Sequence, residues 1–482
     1  MNNYKPTRKT AWRHGRRCVN ALAEVLLKAI LPSLTIAWML LLSGCPSPTT
    51  PEHVHDYGEW TVTTAAFCLT EGVETRTCSL DASHTETRPI AALPHDMDWV
   101  VTTALTSSAL GVETHSCQRA GCDHTGETRG YPQMPYIITG SGTSFTAKID
   151  GTTIDDADGA AIADVITAIR SHAGGADIGI QFDDGGTLDI GTERAIFDNA
   201  NANGDGTWGH ITLTGSITSA NTGAGHGTIE LDDNVTITST ADIFNTSTET
   251  DRLSIRIEGT ATLNITGGTV EVSGGSAISC GTGTVLNISG GTVKTNTRSA
   301  IQVLGTVNIS GNALVTGAST TDIGTIWIFG ADARVNISGG VVRNTAANDN
   351  AKAISIFGSP WGNSNHPDAL IITGGTVGAM DEDGNGTIGM AIAISTPSGI
   401  TISQANPSVP TLITSANTTA GRGTIIVVTA DGSPIAINSG RVENTADHAN
   451  AQSIVAPSDN AAGRVVIEPA AEVEPLPLWM AD

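Results

Sequence analysis

The segment Leu-Asn-Ile-Thr-Gly-Gly-Thr-Val at residues 263–270 decides the fold, because close copies of it recur along the chain. Apolar Leu263 and Ile265 flank polar Asn264, which is the alternation of a half-buried strand. The Gly-Gly pair then allows a corner of positive φ that turns the chain into its next strand. Further copies begin at residues 286, 307 and 335, and a weaker copy begins at 371.

This spacing predicts one coil of short parallel strands for every twenty to thirty residues, roughly the period of solenoid repeats. The stretch resembles the right-handed, pectin-lyase-like solenoid family, which implies an all-β, right-handed parallel β-helix over residues 136–482. We expect the isoleucines of the copies to be buried and the asparagines to form a ladder on the opposite face. The isoleucines concerned are Ile265, Ile288, Ile309 and Ile337.

A stack of coils needs a cap at its end, and residues 159–171 predict an N-terminal capping helix. Ile162, Val165 and Ile169 fall on one helical face together with Ile166. We expect Asp158 to be the N-cap residue and Gly174-Gly175 to stop the helix.

Enzymes of the pectin-lyase-like family are the alternative class, because many of them cleave acidic polysaccharides as lyases or hydrolases. The chain contains Gly225-His226-Gly227, as the hydrolases of this family do, but it lacks their Asn-Thr-Asp segment. Its Asp232-Asp233 pair follows the Gly-His-Gly segment, whereas in the hydrolases the Asp-Asp pair precedes it. A second copy of this region (217–229 repeated at 413–425) carries Arg422 in place of His226. No pair of carboxylates stands out for acid–base work. The sequence therefore favours a non-enzymatic protein.

Two loops are candidate calcium sites, since carboxylate and amide oxygens alternate before a glycine in both. The first contains Asp381, Asp383 and Asn385, and the second contains Asn201, Asn203 and Asp205. The bidentate Glu expected at the twelfth position is missing, so solvated turns remain an equal alternative. No other cofactor is implied.

Residues 53–131 hold two copies of a shorter repeat. Each copy runs from a His-to-Trp opening through Gly-Val-Glu-Thr to a cysteine, with equal spacing from Trp60 to Cys78 and from Trp99 to Cys117. The repeat resembles a small cysteine-containing module common in surface proteins of anaerobic bacteria and spirochaetes. That resemblance implies two small β modules that act as an extracellular spacer.

Each of these repeats retains two cysteines, although not the same two. Cys68 aligns with Ser107, and Cys122 has no cysteine counterpart in the first copy. We predict the disulfides Cys68–Cys78 and Cys117–Cys122, because an even number per copy suits an exported protein. Zinc is the open alternative, with two Cys and two His in each copy. The two zinc sets would be His55, Cys68, Cys78 and His84, and His95, Cys117, Cys122 and His124.

Residues 1–44 have the features of an export signal. A basic segment precedes an apolar run from Ile30 to Leu42, which is short for a membrane span. The run ends in Leu42-Ser43-Gly44-Cys45, which resembles the lipobox of bacterial lipoproteins and implies that Cys45 is acylated. Residues 45–52 then form a proline-rich tether. The expected location is the bacterial outer membrane or cell surface, with the chain anchored to the membrane through lipid.

The net charge of the chain limits the classes of molecule that it is expected to bind. It carries 48 acidic and 24 basic residues, a net charge of −24, and the predicted leader removes mostly basic ones. Such a field repels nucleic acid. We therefore expect an adhesion or glycan-binding lipoprotein whose partner is an extracellular glycan or a host or matrix protein.

Overall fold

The computed structural model describes residues 54–103, 112–130, 135–199, 207–321, 323–357, 368–396, 398–428, 435–456, 465–475 and 477. The chain divides into two compact units. The first comprises residues 1–96 and 118–122, and the second comprises residues 97–117 and 123–482. Regular structure in both units is almost entirely β.

The first unit contains one antiparallel sheet of three strands. These are β1 (Thr61–Thr64), β2 (Gly72–Thr77) and β3 (Thr85–Ile90). Two guanidinium groups lie over the ring of Trp60, with Arg76 4.7 Å and Arg88 4.4 Å from the ring centroid. In this copy of the repeat, the opening Trp therefore makes cation–π contacts with the sheet.

The second unit begins with the corresponding antiparallel sheet. It consists of β4 (Met97–Thr103), β5 (Val112–Cys117) and β6 (Thr125–Gly130). Trp99, the counterpart of Trp60, stacks on His115 with ring centroids 4.9 Å apart. Both repeats are therefore small β modules, as predicted.

The remainder of the second unit opens with three antiparallel strands and the one helix among the described residues. These elements are β7 (Tyr136–Ser141), β8 (Ser144–Ile149), β9 (Thr152–Thr153) and α1 (Ile162–Ala173). The strands that follow are β10 (Ile178–Phe182), β11 (Leu188–Asp189), β12 (Ala195–Phe197), β13 (His210–Ser219), β14 (Ile229–Leu231), β15 (Thr236–Ser239), β16 (Asp242–Asn245), β17 (Leu253–Ile257), β18 (Thr262–Ile265), β19 (Thr269–Val272), β20 (Ser276–Cys280), β21 (Val285–Ile288), β22 (Thr292–Thr295), β23 (Ile301–Val303), β24 (Thr306–Ile309), β25 (Leu314–Gly317), β26 (Ile326–Ile328), β27 (Arg334–Asn344), β28 (Lys352–Ile356), β29 (Leu370–Ala379), β30 (Met390–Ile394), β31 (Ile400–Ile402), β32 (Thr411–Ser415), β33 (Ile425–Val427), β34 (Ile435–Ile437), β35 (Gly440–Asn444), β36 (Ile454–Val455), β37 (Val465–Ile467) and β38 (Ala471–Glu474).

From β10 onward these strands pair in parallel and form three stacks. The large sheet holds two of them: the first stack contains β15, β18, β21 and β24, and the second contains β16, β19, β22 and β25. The third stack is a separate parallel sheet of ten strands, from β12 to β36. Over β15 to β26 the chain visits the first, second and third stacks in turn, and it repeats this order.

The repeated segment builds the corner between the first and second stacks. Gly268 has a φ of 70° and Gly291 a φ of 73°, a conformation that side chains disfavour. A Cβ on Gly268 would lie 2.4 Å from the carbonyl oxygen of Ala241 in the corner between β15 and β16, so the close stacking of the corners also requires glycine. The predicted role of the Gly-Gly pair is confirmed.

The core lies between the stacks and consists mainly of isoleucine, valine and leucine. The four isoleucines of the repeated segment are stacked in register, and none exposes more than 1% of its surface. Burial of such a side chain contributes roughly 1.5–3 kcal/mol. This part of the sequence prediction is confirmed.

The helix differs from its prediction in two respects. It is not N-terminal to the sheets, because β7, β8 and β9 precede it and belong to the large sheet. The N-cap residue is Ala161, which makes no side-chain cap bond, whereas Asp158 accepts a hydrogen bond from Thr146. The predicted buried face is correct, and Gly174 ends the helix in the left-handed conformation.

Candidate functional site

An open cleft of about 550 Å³ lies on the large sheet, where turns join strands of the first stack to strands of the second. Three of these turns contribute Gln404, Ser439 and Ala470. The complete lining is Thr376, Gln404, Pro410, Thr411, Leu412, Ser439, Gly440, Arg441, Glu443, Ala470 and Glu472. The volume falls within the range of about 300–1,000 Å³ that ligand clefts occupy. Its polar lining suits a ligand rich in hydroxyl groups.

Arg441 on β35 is the cation of this cleft. Its guanidinium lies 2.8 Å from the carboxylate of Glu443 and 3.4 Å from that of Glu474. The other carboxylate oxygen of Glu443 accepts a hydrogen bond of 3.2 Å from the hydroxyl of Thr414. The Arg441 side chain is 48% exposed, so the ion pair contributes little to stability. Its planar guanidinium presents five N–H donors to the cleft.

Hydrogen bonds also position uncharged residues of the cleft lining. The backbone N–H of Gln404 donates to the hydroxyl of Ser439 at 2.7 Å. The hydroxyl of Thr411 donates to the carbonyl of Ser403 at 2.7 Å. The cleft thus combines a cation, carboxylates and positioned hydroxyl groups. Nothing in the sequence pattern singled these residues out, because they come from several strands and turns that are far apart in sequence.

The asparagines of the repeated segment form the predicted ladder on the first stack. Asn287 donates to the side-chain oxygen of Asn264 at 2.8 Å, Asn308 donates to Asn287 at 2.7 Å, and Asn336 donates to Asn308 at 2.8 Å. The side chains are half-buried. Because the side-chain amides hydrogen-bond to one another, the main role of the ladder is to stabilise the first stack.

The Gly225-His226-Gly227 loop is organised around Glu230, which is 8% exposed. Glu230 lies 3.0 Å from the guanidinium of Arg194 and accepts a bond from the backbone N–H of Gly227 at 3.1 Å. Nδ1 of His226 lies 2.9 Å from Glu230 and 2.7 Å from Arg194. Since one nitrogen cannot both donate and accept there, the tautomer selects one of these bonds. The carboxylate of Glu230 therefore stabilises the conformation of the loop.

The second copy of this loop repeats its internal bonds with a different charged residue. The hydroxyls of Ser219 and Thr228 lie 2.7 Å apart, and those of Ser415 and Thr424 lie 2.8 Å apart. Arg422, which replaces His226, donates to the side chain of Asn350 at 2.7 Å. The shared hydroxyl pair shows that the duplicated sequence encodes a corner of the backbone.

Of the two predicted calcium loops, one lies outside the described residues, because Asn201, Asn203 and Asp205 fall between residues 200 and 206. In the other, the carboxylate of Asp381 accepts bonds from the backbone N–H (2.8 Å) and the side-chain amide (3.0 Å) of Asn385. These hydrogen bonds hold the pKa of Asp381 below its usual value. The loop is therefore a self-bonded turn that brings Asp381 and Asn385 together, and its binding of calcium remains a prediction.

The predicted disulfides Cys68–Cys78 and Cys117–Cys122 are not formed in the structure. Within the first unit, the ligand atoms of Cys68, His95 and Cys122 instead lie within 4.8 Å of one another. Cys78 is elsewhere, at the end of β2, where its N–H donates to the carbonyl of His84. Cys117 belongs to the second unit, and its N–H donates to the carbonyl of His124.

The sequence contained a signal for this grouping. Cys68 and Cys122 are the two cysteines that lack a counterpart in the other repeat. The structure brings these unmatched residues together. The sequence prediction missed this grouping because it paired cysteines only within each repeat.

The lipidation site Cys45 and the residues before it lie outside the described residues. Within the described part of the chain, no helix is both long and apolar enough to cross a bilayer. No protein-family profile matches the sequence, and no curated protein or solved structure matches it significantly.

Proposed function

We propose that the protein is an exported, lipid-anchored lipoprotein of the bacterial cell surface or outer membrane that binds extracellular glycan without cleaving it. Cys45 carries the lipid, residues 45–52 are the tether, and the two small modules serve as a spacer. The resemblance of residues 42–45 to a lipobox supports the anchor.

The proposal includes a finer description of the fold. The three parallel stacks are the faces of a right-handed parallel β-helix, because the chain visits them in a constant order and pairs each strand with its equivalent one turn later. Helix α1 caps this solenoid near its beginning. Its buried residues Ile162, Val165 and Ile169 join the same hydrophobic core as the strands, as a cap requires.

The cleft around Arg441 is the observation that carries glycan binding. Sugars present closely spaced hydroxyls, and an arginine paired with a carboxylate offers donors and acceptors to such groups at fixed positions. Many such contacts at an open, wet surface give modest affinity per site. Display of many copies on a membrane raises the effective affinity by multivalency. We therefore expect weak binding of single chains and strong binding of the displayed protein.

A glycan array probed with the full-length protein tests this function. We expect binding to a hydroxyl-rich glycan, and a loss of at least about tenfold in affinity (1.4 kcal/mol) for Arg441→Ala. Lys294→Ala is the matched control, since Lys294 is a comparably exposed cation of the same sheet that pairs with Glu271. Binding that requires no Arg441, or binding only to a matrix protein, would contradict the glycan proposal.

The alternative function, cleavage of polysaccharide, is tested on the same preparation. Incubation with acidic and neutral polysaccharides, followed by assay of new reducing ends and unsaturated products, is expected to give no turnover. Turnover that disappears in Glu230→Gln would establish an enzyme centred on the His226 loop.

A further inference from the structure

The side chains of Cys68, His95 and Cys122 converge at one point of the first unit, although they come from three separate segments. Sγ of Cys122 lies 3.4 Å from Nδ1 of His95, and the ligand atoms of all three residues lie within 4.8 Å of one another. Two ligands held at about 2.3 Å (sulfur) and 2.0–2.1 Å (nitrogen) from one tetrahedral zinc ion would be roughly 3.6 Å apart. The observed separation of Sγ and Nδ1 is close to that value.

Backbone hydrogen bonds hold these three segments in place independently of the side chains. Leu93 donates to the carbonyl of Phe67 and accepts from Leu69, each at 3.0 Å, which aligns residues 67–69 with residue 93. Gln118 donates to the carbonyl of Asp96 at 2.7 Å. The main chain thus preorganises the site, and a metal would enter it without a large rearrangement.

The described residues of the first unit also form no hydrophobic core that could hold these segments together. Among its described residues, the only buried hydrophobic ones are Cys68 and Cys78. Val62, Leu69 and Leu80, which could have formed a core, are exposed. Domains this small are usually stabilised by disulfides or by a structural metal ion.

We propose that Cys68, His95 and Cys122 bind a structural zinc ion that cross-links the first repeat to the segments 93–96 and 118–122. Thiolate and imidazole ligands favour zinc over the hard cations calcium and magnesium, which prefer oxygen. Binding releases the thiol protons of both cysteines to solvent and involves no redox change. The site differs from both zinc sets that the sequence suggested, because it combines the two unmatched cysteines.

Closed structural zinc sites have four ligands in tetrahedral geometry. Cys68, His95 and Cys122 supply three of them, and the cobalt spectrum reports the coordination number of the loaded site.

The test uses the full-length protein, purified in reducing buffer and titrated with Zn²⁺ or with Co²⁺ as a spectroscopic substitute. We expect one metal per chain, a cobalt spectrum with the thiolate charge-transfer and d–d bands of a tetrahedral site, and release of the metal by a chelator. Cys68→Ser, His95→Ala and Cys122→Ser should each weaken zinc binding by about a hundredfold or more.

Cys78→Ser is the matched control, because Cys78 is a cysteine of the same unit that lies outside the group, and this variant should bind zinc normally. Circular dichroism of each variant separates loss of a ligand from loss of folding. Loss of zinc binding in Cys78→Ser with retention in Cys122→Ser would overturn the proposal. So would mass spectrometry of unreduced protein that finds a Cys68–Cys122 disulfide, or the two disulfides predicted from the sequence, with no bound zinc.

Discussion

Replacement of Ile288 by alanine should destabilise the parallel sheets far more than replacement of its neighbour Asn287 by serine. Ile288 is 1% exposed and pairs in register with Ile265 on one side and Ile309 on the other. The substitution removes three buried carbons, a transfer cost of roughly 2.4 kcal/mol at about 0.8 kcal/mol each. The residual cavity adds to this, so we expect about 3–4 kcal/mol in total, within the range of about 2–5 kcal/mol for such changes.

Asn287→Ser is the matched control on the same strand. It removes the hydrogen bonds of 2.8 Å to Asn264 and 2.7 Å from Asn308. A typical hydrogen bond contributes about 1 kcal/mol net, and water can replace these half-exposed partners. We therefore expect a cost of about 1 kcal/mol or less. Ile288→Asp should exceed both, because it buries a carboxylate without a partner.

Hydrogen-exchange mass spectrometry is the appropriate assay, because repeat structures can unfold locally and a single unfolding free energy is then not defined. In Ile288→Ala, protection should fall in β18, β21 and β24 and remain normal in β34 and β37. Equal loss of protection for Ile288→Ala and Asn287→Ser would refute the reasoning that burial on the inner face holds these strands together.

Two further predictions concern the anchor and the acidic turn. Cys45→Ala should abolish incorporation of radiolabelled fatty acid in the producing cells; continued labelling would show that Cys45 is not the lipidation site. The pKa of Asp381 should lie below the ordinary value of about 4, measured by NMR titration of its carboxyl group, and should return toward that value in Asn385→Ala. Because the folded state lowers this pKa, the carboxylate's contribution to stability is present above the ordinary value and is lost as pH falls through the lowered one.

The alternation Leu263-Asn264-Ile265 and the Gly-Gly corner determine much of the fold from the sequence alone. A side chain on one face of a strand must be buried or exposed according to its hydrophobicity, so the buried isoleucines followed from the pattern. The asparagine ladder followed from the same pattern, because equal spacing places equal residues in register. The helix stop at Gly174 was likewise a local property of the chain.

Only the tertiary structure decided which distant residues meet. The N-cap prediction was wrong because Asp158 accepts a hydrogen bond from Thr146, which lies twelve positions earlier on strand β8. The cleft around Arg441 and the convergence of Cys68 with His95 and Cys122 also depend on contacts that the tertiary structure creates. Each unites segments that are far apart in sequence, and such contacts depend on how strands pair and turns pack, which no local pattern encodes.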